Sequence, residues 1–123
     1  MFCRSILIAA FLPALVVPVH AQGPAPDDKR QRELVHMVRQ DCGSCHGLTL
    51  QGGLGPALTP AALRGKPSEG LVATIIGGRP GTPMPPFRGL IEESEAAWVV
   101  ERLLEGFPAD GGPQSAQRTA GTR

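Results

Sequence analysis

The chain has 123 residues, with twelve Lys or Arg against eleven Asp or Glu, a formal net charge of +1 at neutral pH. That balance excludes the broad positive field on which non-specific nucleic-acid or membrane-surface binding rests. One domain is the only sensible count, and four Phe, one Trp, no Tyr and sixteen Gly leave its core short of large apolar groups, so a staple such as a buried cofactor is expected.

Residues 1–21 read as an export signal. Arg4 supplies a basic start, Ile6 to Val19 a short apolar run, and Val19-His20-Ala21 the small residues that precede a cleavage site, expected after Ala21. The run falls short of the roughly 20 residues a membrane span needs, and Pro13 and Pro18 interrupt it. A cleaved leader is therefore preferred to an uncleaved anchor, with the mature protein in the periplasm and no integral membrane segment. Cleavage removes Cys3 and Arg4, which leaves eleven basic residues against eleven acidic ones and two cysteines, Cys42 and Cys45.

A polar lead-in, 22–28, precedes the expected domain, 29–107, and a disordered tail is expected over 108–123. Asp27 or Asp28 can cap a first helix over about 29–41, with Leu34, Val35 and Val38 on its apolar face. Residues 47–58 are glycine-rich and predict a loop. Thr59-Pro60 predicts a cap and first-turn proline for a short helix over 61–64, stopped by Gly65. Ser68 is expected to cap a further helix, with Leu71, Val72, Ile75 and Ile76 as its stripe and Gly77-Gly78 as its stop. Four prolines between Arg79 and Phe87 exclude a helix there. The last helix is expected over about 92–105, its positive N-terminal end crowded by Glu92, Glu93 and Glu95.

Cys42-Gly43-Ser44-Cys45-His46 directly follows the expected first helix. Two thiols at this spacing can each add to one vinyl group of a porphyrin, and the histidine that follows can give a nitrogen to the iron. The motif therefore predicts one covalently attached haem c, held by thioethers at Cys42 and Cys45, with His46 as iron ligand. A thioredoxin-like redox pair would need a surrounding βαβ pattern, and a zinc site would need a second Cys or His pair; neither is present in the sequence. His46 needs an acceptor on its far ring nitrogen, and the loop at Gly55-Pro56 is the obvious source of a carbonyl.

Candidates for the opposite face of the iron are His36, Met37 and Met84. His36 and Met37 are tethered a few residues ahead of Cys42, too close to reach across the ring; His36 is expected on a solvated face and Met37 in helix packing. Met84, inside Gly81-Thr82-Pro83-Met84-Pro85-Pro86, offers a soft thioether on a backbone pre-set by prolines. Arg64, Lys66, Arg79 and Arg88 are expected either near haem propionates and the haem edge or as ordinary solvated charges.

The motif, Gly55-Pro56-Ala57-Leu58, Pro83-Met84-Pro85 and the Trp98-containing last helix together resemble a class I cytochrome c, over about residues 29–107. The resemblance implies an all-α fold of three to four helices around one haem, with first and last helices packed across each other and Trp98 in the core. It implies further that Pro56 lends its carbonyl to His46, that Leu58 touches the haem and that Met84 is the distal ligand. Residues 52–60, 80–86 and 95–100 are similar to the small monohaem cytochromes associated with cytochrome cd1 nitrite reductase. That likeness implies a place in denitrification, as electron donor to the reductase or as an aid to maturing its haem d1. The function expected is single-electron transfer rather than catalysis, between a quinol-linked or cytochrome donor and a redox partner. A haem enzyme or gas binder with an open sixth site, and a haem d1 maturation factor, are the alternatives.

Overall fold

A computed structural model describes residues 23–109. The expected export signal, residues 1–21, and positions 110–123 of the expected tail lie outside the described residues. Within them the fold is all-α, without a β-strand.

Asp27 is the residue that caps the first helix. It stands in extended geometry (φ −66°, ψ 166°) and its carboxylate accepts the Arg30 N–H at 2.8 Å, opening α1, Asp28–Met37. The winding does not end near Asp41. It continues through a π-helical stretch, Val38–Cys42, into a second α-helical turn, α2, Gly43–His46. A wider turn takes up one extra residue and shifts the phase of all that follows. The faces of Cys42, Cys45 and His46 relative to Leu34 and Val35 therefore differ from a uniform 3.6-residue repeat.

The short helix α3, Pro60–Leu63, starts one residue earlier than its spacing predicts, with Thr59 accepting the Ala62 N–H at 3.3 Å. For α4, Ser68–Gly77, the expected cap is wrong. Ser68 already has helical geometry; the cap position is Pro67, extended at ψ 132° and without a capping side chain. The proline ring fixes the angle of entry, so a hydroxyl is not needed to direct it. In α5, Glu93–Glu105, Glu92 is the cap rather than the first helical residue. Its side chain accepts the N–H of Glu95, while Glu95 Oε2 accepts the Glu92 N–H at 2.8 Å. The acids thus form a reciprocal capping box as well as complementing the helix dipole.

Leu34, Val35, Val38, Leu50, Leu63, Phe87, Ile91, Ala96, Trp98, Val99 and Leu103 make one core. Trp98 is buried as expected, with the Arg102 guanidinium 5.8 Å from its ring centre. The backbone of α5 packs against α4 and α3, whereas α1 and its π extension meet α5 through side chains. At one end Arg30 grips Glu95 with two bonds, Nε–Oε1 at 2.6 Å and Nη2–Oε2 at 3.1 Å. At the other, Arg39 donates to the carbonyls of Phe107 (2.9 Å), Pro108 (2.6 and 3.1 Å) and Leu48 (3.1 Å). Pro108, the first residue of the expected tail, is thus tied back to the helical domain through its carbonyl. Free backbone carbonyls just past a helix end are natural acceptors for a guanidinium with five donors.

Candidate functional site

The π stretch and α2 deliver both cysteines and the histidine on successive helical turns. Cys42 and Cys45 are half-buried and not bonded to each other. Burial, and next the charge of Asp41, pushes the Cys42 thiol up to about 11. A thiol kept neutral is a poor thiolate nucleophile or zinc ligand. Among the described residues no group of three or more His, Cys, Asp or Glu is placed to hold a metal ion.

His46 is the one polar residue buried among the core side chains of the described residues, at 9 % exposure. Its Nδ1 lies 2.6 Å from the Pro56 carbonyl. A carbonyl only accepts, so Nδ1 carries a proton, and in the neutral ring Nε2 is then the nitrogen with the lone pair. The loop that supplies this carbonyl is stitched to the motif: Gly52 N–H donates to His46 O and Gly55 N–H to Cys45 O, both at 2.8 Å. Leu50, at φ 61° but only 2 % exposed, anchors the same loop in the core. A left-handed leucine is uncommon, and its burial is what compensates. Gly55 forms the wall beside the imidazole; a Cβ there would stand 2.8 Å from His46 Cε1 and Nδ1.

Met84 comes from a different part of the chain and is half-buried. Its carbonyl accepts the Arg79 N–H at 3.2 Å and its N–H reaches Thr82 Oγ1 at 3.4 Å, so the segment is a closed turn. Gly78, at φ 68°, lets that turn seat on the end of α4; a Cβ there would meet Pro86 N at 2.7 Å and Met84 O at 2.8 Å. Just beyond, Phe87 and Arg88 donate their N–H groups to Ile75 and Ile76 carbonyls at 3.1 and 3.2 Å. Two of the orphan carbonyls of α4 are thereby satisfied by the segment that carries Met84.

Of the six residues singled out in the sequence, Cys45, His46 and Pro56 are joined through the hydrogen bonds of the 52–56 loop, with Cys42 at the end of the π stretch that leads into α2. Leu58 is half-buried against the core, its N–H on Leu50 O at 2.9 Å, and Met84 is presented separately by the proline turn. His36 is exposed and Met37 packs on the core. Sequence reasoning missed Gly55, Gly78 and Arg39. The glycines were visible only as loop formers, and Arg39 carried no local pattern at all.

The surroundings fit a porphyrin. α4 is the most apolar of the longer helices, yet none of its residues is buried. Leu71, Val72, Ile75 and Ile76 touch the core while keeping partial exposure, as do Cys42 and Leu58. A helix of this composition has apolar surface to spare for a large flat ligand. Two thiols and an imidazole with a free Nε2 complete the donor set for a covalently held haem.

Comparison with known proteins agrees. The family model described as cytochrome C oxidase, cbb3-type, subunit III matches residues 29–101. Cytochrome c55X of Pseudomonas aeruginosa is 67 % identical over 81 residues, which span 66 % of this chain and 68 % of that protein. The chain belongs to the c-type cytochromes. Membership implies covalently bound haem c as the cofactor. Among solved structures the cytochrome is similar to the c-type cytochrome NirC, with a TM-score of 0.65 and 65 % identity over 66 % of this chain and 95 % of that one. It is also 33 % identical over 105 residues to the dihydro-heme d1 dehydrogenase of Pseudomonas aeruginosa, covering 85 % of this chain but 20 % of that larger protein. Among the described residues no helix is long and apolar enough to cross a membrane.

Proposed function

We propose that this cytochrome carries single electrons in the periplasm through one haem whose iron is held by His46 and Met84. In this reading it serves denitrification as a donor to cytochrome cd1 nitrite reductase, taking electrons from a quinol-linked or cytochrome donor. The observation that carries the reading is the His46–Pro56 contact at 2.6 Å, which leaves Nε2 as the ring nitrogen available to a metal.

Haem c, when bound, supplies a one-electron couple. The chain's own residues do the rest. Cys42 and Cys45 tether the ring covalently, so it cannot dissociate between partners. Pro56 fixes the tautomer and orientation of His46. Met84 offers its thioether from a turn that Gly78, Thr82 and three flanking prolines hold in place, which keeps rearrangement between oxidation states small. Leu58 and the apolar stripe of α4 exclude water, and a thioether in such surroundings favours the less charged state of the iron. No proton donor or acceptor is required.

Replacing Met84 by Ala tests the ligand assignment. The oxidised protein is expected to lose its sulfur-to-iron charge-transfer band, become high-spin and drop in potential. An unchanged spectrum and potential would remove Met84 from the iron, and a high-spin spectrum in the unaltered protein would favour an open-site enzyme. The likeness to dihydro-heme d1 dehydrogenase favours a second reading, an accessory role in maturing haem d1. Stopped-flow mixing with cytochrome cd1 nitrite reductase separates the two: rapid reoxidation of the cytochrome supports the donor role, and its absence the accessory one.

A further inference from the structure

Among the described residues, Leu50 is the one residue other than glycine with a positive backbone angle, at φ 61°. That left-handed region crowds a Cβ against the adjoining backbone and is disfavoured for any residue that has one. The 47–58 loop uses glycine where it needs such angles elsewhere, at Gly47 (φ 84°) and Gly52 (φ 105°). Glycine at position 50 would remove the strain, so what leucine adds there is its side chain. Strained residues persist where the surrounding structure holds them, and this side chain is seated in the core, only 2 % exposed.

The backbone of Leu50 ties the loop at both ends. Its N–H donates at 2.7 Å to the carbonyl of Gly47, the residue after His46, and its own carbonyl accepts the Leu58 N–H at 2.9 Å. Pro56 has no N–H with which to fix itself. The carbonyl that it turns to His46 Nδ1 at 2.6 Å is therefore located by its flanks. On one side the Gly55 N–H is bonded to the Cys45 carbonyl at 2.8 Å, and on the other Leu58 is bonded to Leu50. The first flank is tied to the attachment motif, the second to a residue anchored in the core. Arg39 holds the Leu48 carbonyl at 3.1 Å, which steadies the turn leading into Leu50.

We propose that Leu50 is a positioning residue for His46: its buried side chain holds a strained backbone whose carbonyl locates the Pro56 acceptor and so sets the strength of the bond at Nδ1. The proposal rests on the reading of His46 as an iron ligand. The effect passes from Leu50 to Leu58, through Ala57 to Pro56, and from Pro56 to the imidazole. A strong acceptor on the far ring nitrogen makes an imidazole a better donor to a metal, and a better donor favours the more highly charged, oxidised iron. Loosening the acceptor should therefore raise the reduction potential.

The test uses holoprotein. Solvent exchange of the His46 Nδ1–H is read by NMR in the reduced state, and the potential by voltammetry. Leu50→Ala removes most of the side chain but leaves a Cβ in the strained region; exchange should quicken several-fold and the potential should rise. Leu50→Gly, free of the strain, should change both in the same sense, and serves if Leu50→Ala yields no holoprotein. Leu50→Met retains a long apolar side chain and should hold both readings near those of the unaltered protein. Leu34→Ala makes the same truncation in the same core, at a fully buried position on α1. It should lower the melting temperature and leave exchange and potential alone. Unchanged exchange in Leu50→Ala and Leu50→Gly, or an equal quickening in Leu50→Met or Leu34→Ala, would overturn the proposal. Ring protons of an iron-bound imidazole face the porphyrin and are shifted far upfield in the reduced protein. If His46 lacks those shifts, its reading as a ligand fails; if it has them and exchange is unchanged in the Leu50 variants, only the role of Leu50 fails.

Discussion

At the scale of single residues, the imidazole of His46 is governed by two backbone neighbours. Pro56 fixes where its proton sits, and Gly55 fixes where its ring can lie, because a Cβ would come within 2.8 Å of Cε1 and Nδ1. Gly55→Ala must move either the ring or the loop. Overpacking of this kind costs about 1–3 kcal/mol, so the holoprotein should melt at lower temperature. Its reduction potential should also shift, as the His46–Pro56 bond lengthens. A variant that melts earlier with an unchanged potential would show that Gly55 serves packing alone. The Gly-Pro pair was legible in the sequence as a source of a carbonyl; the need for glycine was not, since it arises from contact with a ring nine positions earlier.

Among the elements, the tie between α1 and α5 is electrostatic as well as apolar. Arg30 holds Glu95 with two bonds, and Glu95 also accepts the Glu92 N–H that closes the cap of α5. The Arg30 bond, chiefly, holds the Glu95 carboxyl below its ordinary value of 4.5. A depressed carboxyl pKa contributes stability that is present above about 4.5 and lost as pH falls through the lower folded value. Charge-assisted bonds of this type are worth about 1.5–3 kcal/mol, and exposure of Arg30 brings the pair toward the lower end. Glu95→Gln should therefore destabilise the protein by roughly 1–2 kcal/mol at pH 7, with a smaller loss at pH 3, read from denaturant unfolding at both values. An equal loss at the two pH values would assign the effect to the capping bond instead. Helix positions followed from apolar spacing and glycine stops, and three of the four predicted helices lie within two residues of their expected bounds. The first runs further, because a π turn breaks the period on which that expectation was built.

For the whole molecule, stability and cofactor are expected to be coupled. None of the residues of α4 is buried although its stripe is Leu71, Val72, Ile75 and Ile76, so this helix has the least protein cover and the most to gain from a porphyrin. The Cys42→Ser/Cys45→Ser variant, produced in the same host, is expected to lose much of its helical circular dichroism. Amide exchange should be fastest in α4 and in the Met84 turn that rests on its end. A variant that keeps the native spectrum and exchange pattern would mean that the protein core suffices alone.

The sequence by itself determined the Cys-Gly-Ser-Cys-His motif, the near-even charge balance, most of the helix positions and the short list of candidate iron ligands. Those features depend on residue type and on spacings of a few positions, which survive without any tertiary contact. Only the tertiary structure decided which glycines are walls, where Glu92 and Ser68 stand relative to their helices, and that Arg39 gathers the carbonyls of Leu48, Phe107 and Pro108. These depend on groups far apart in the chain arriving within about 3 Å of one another. A one-dimensional pattern holds no record of that approach.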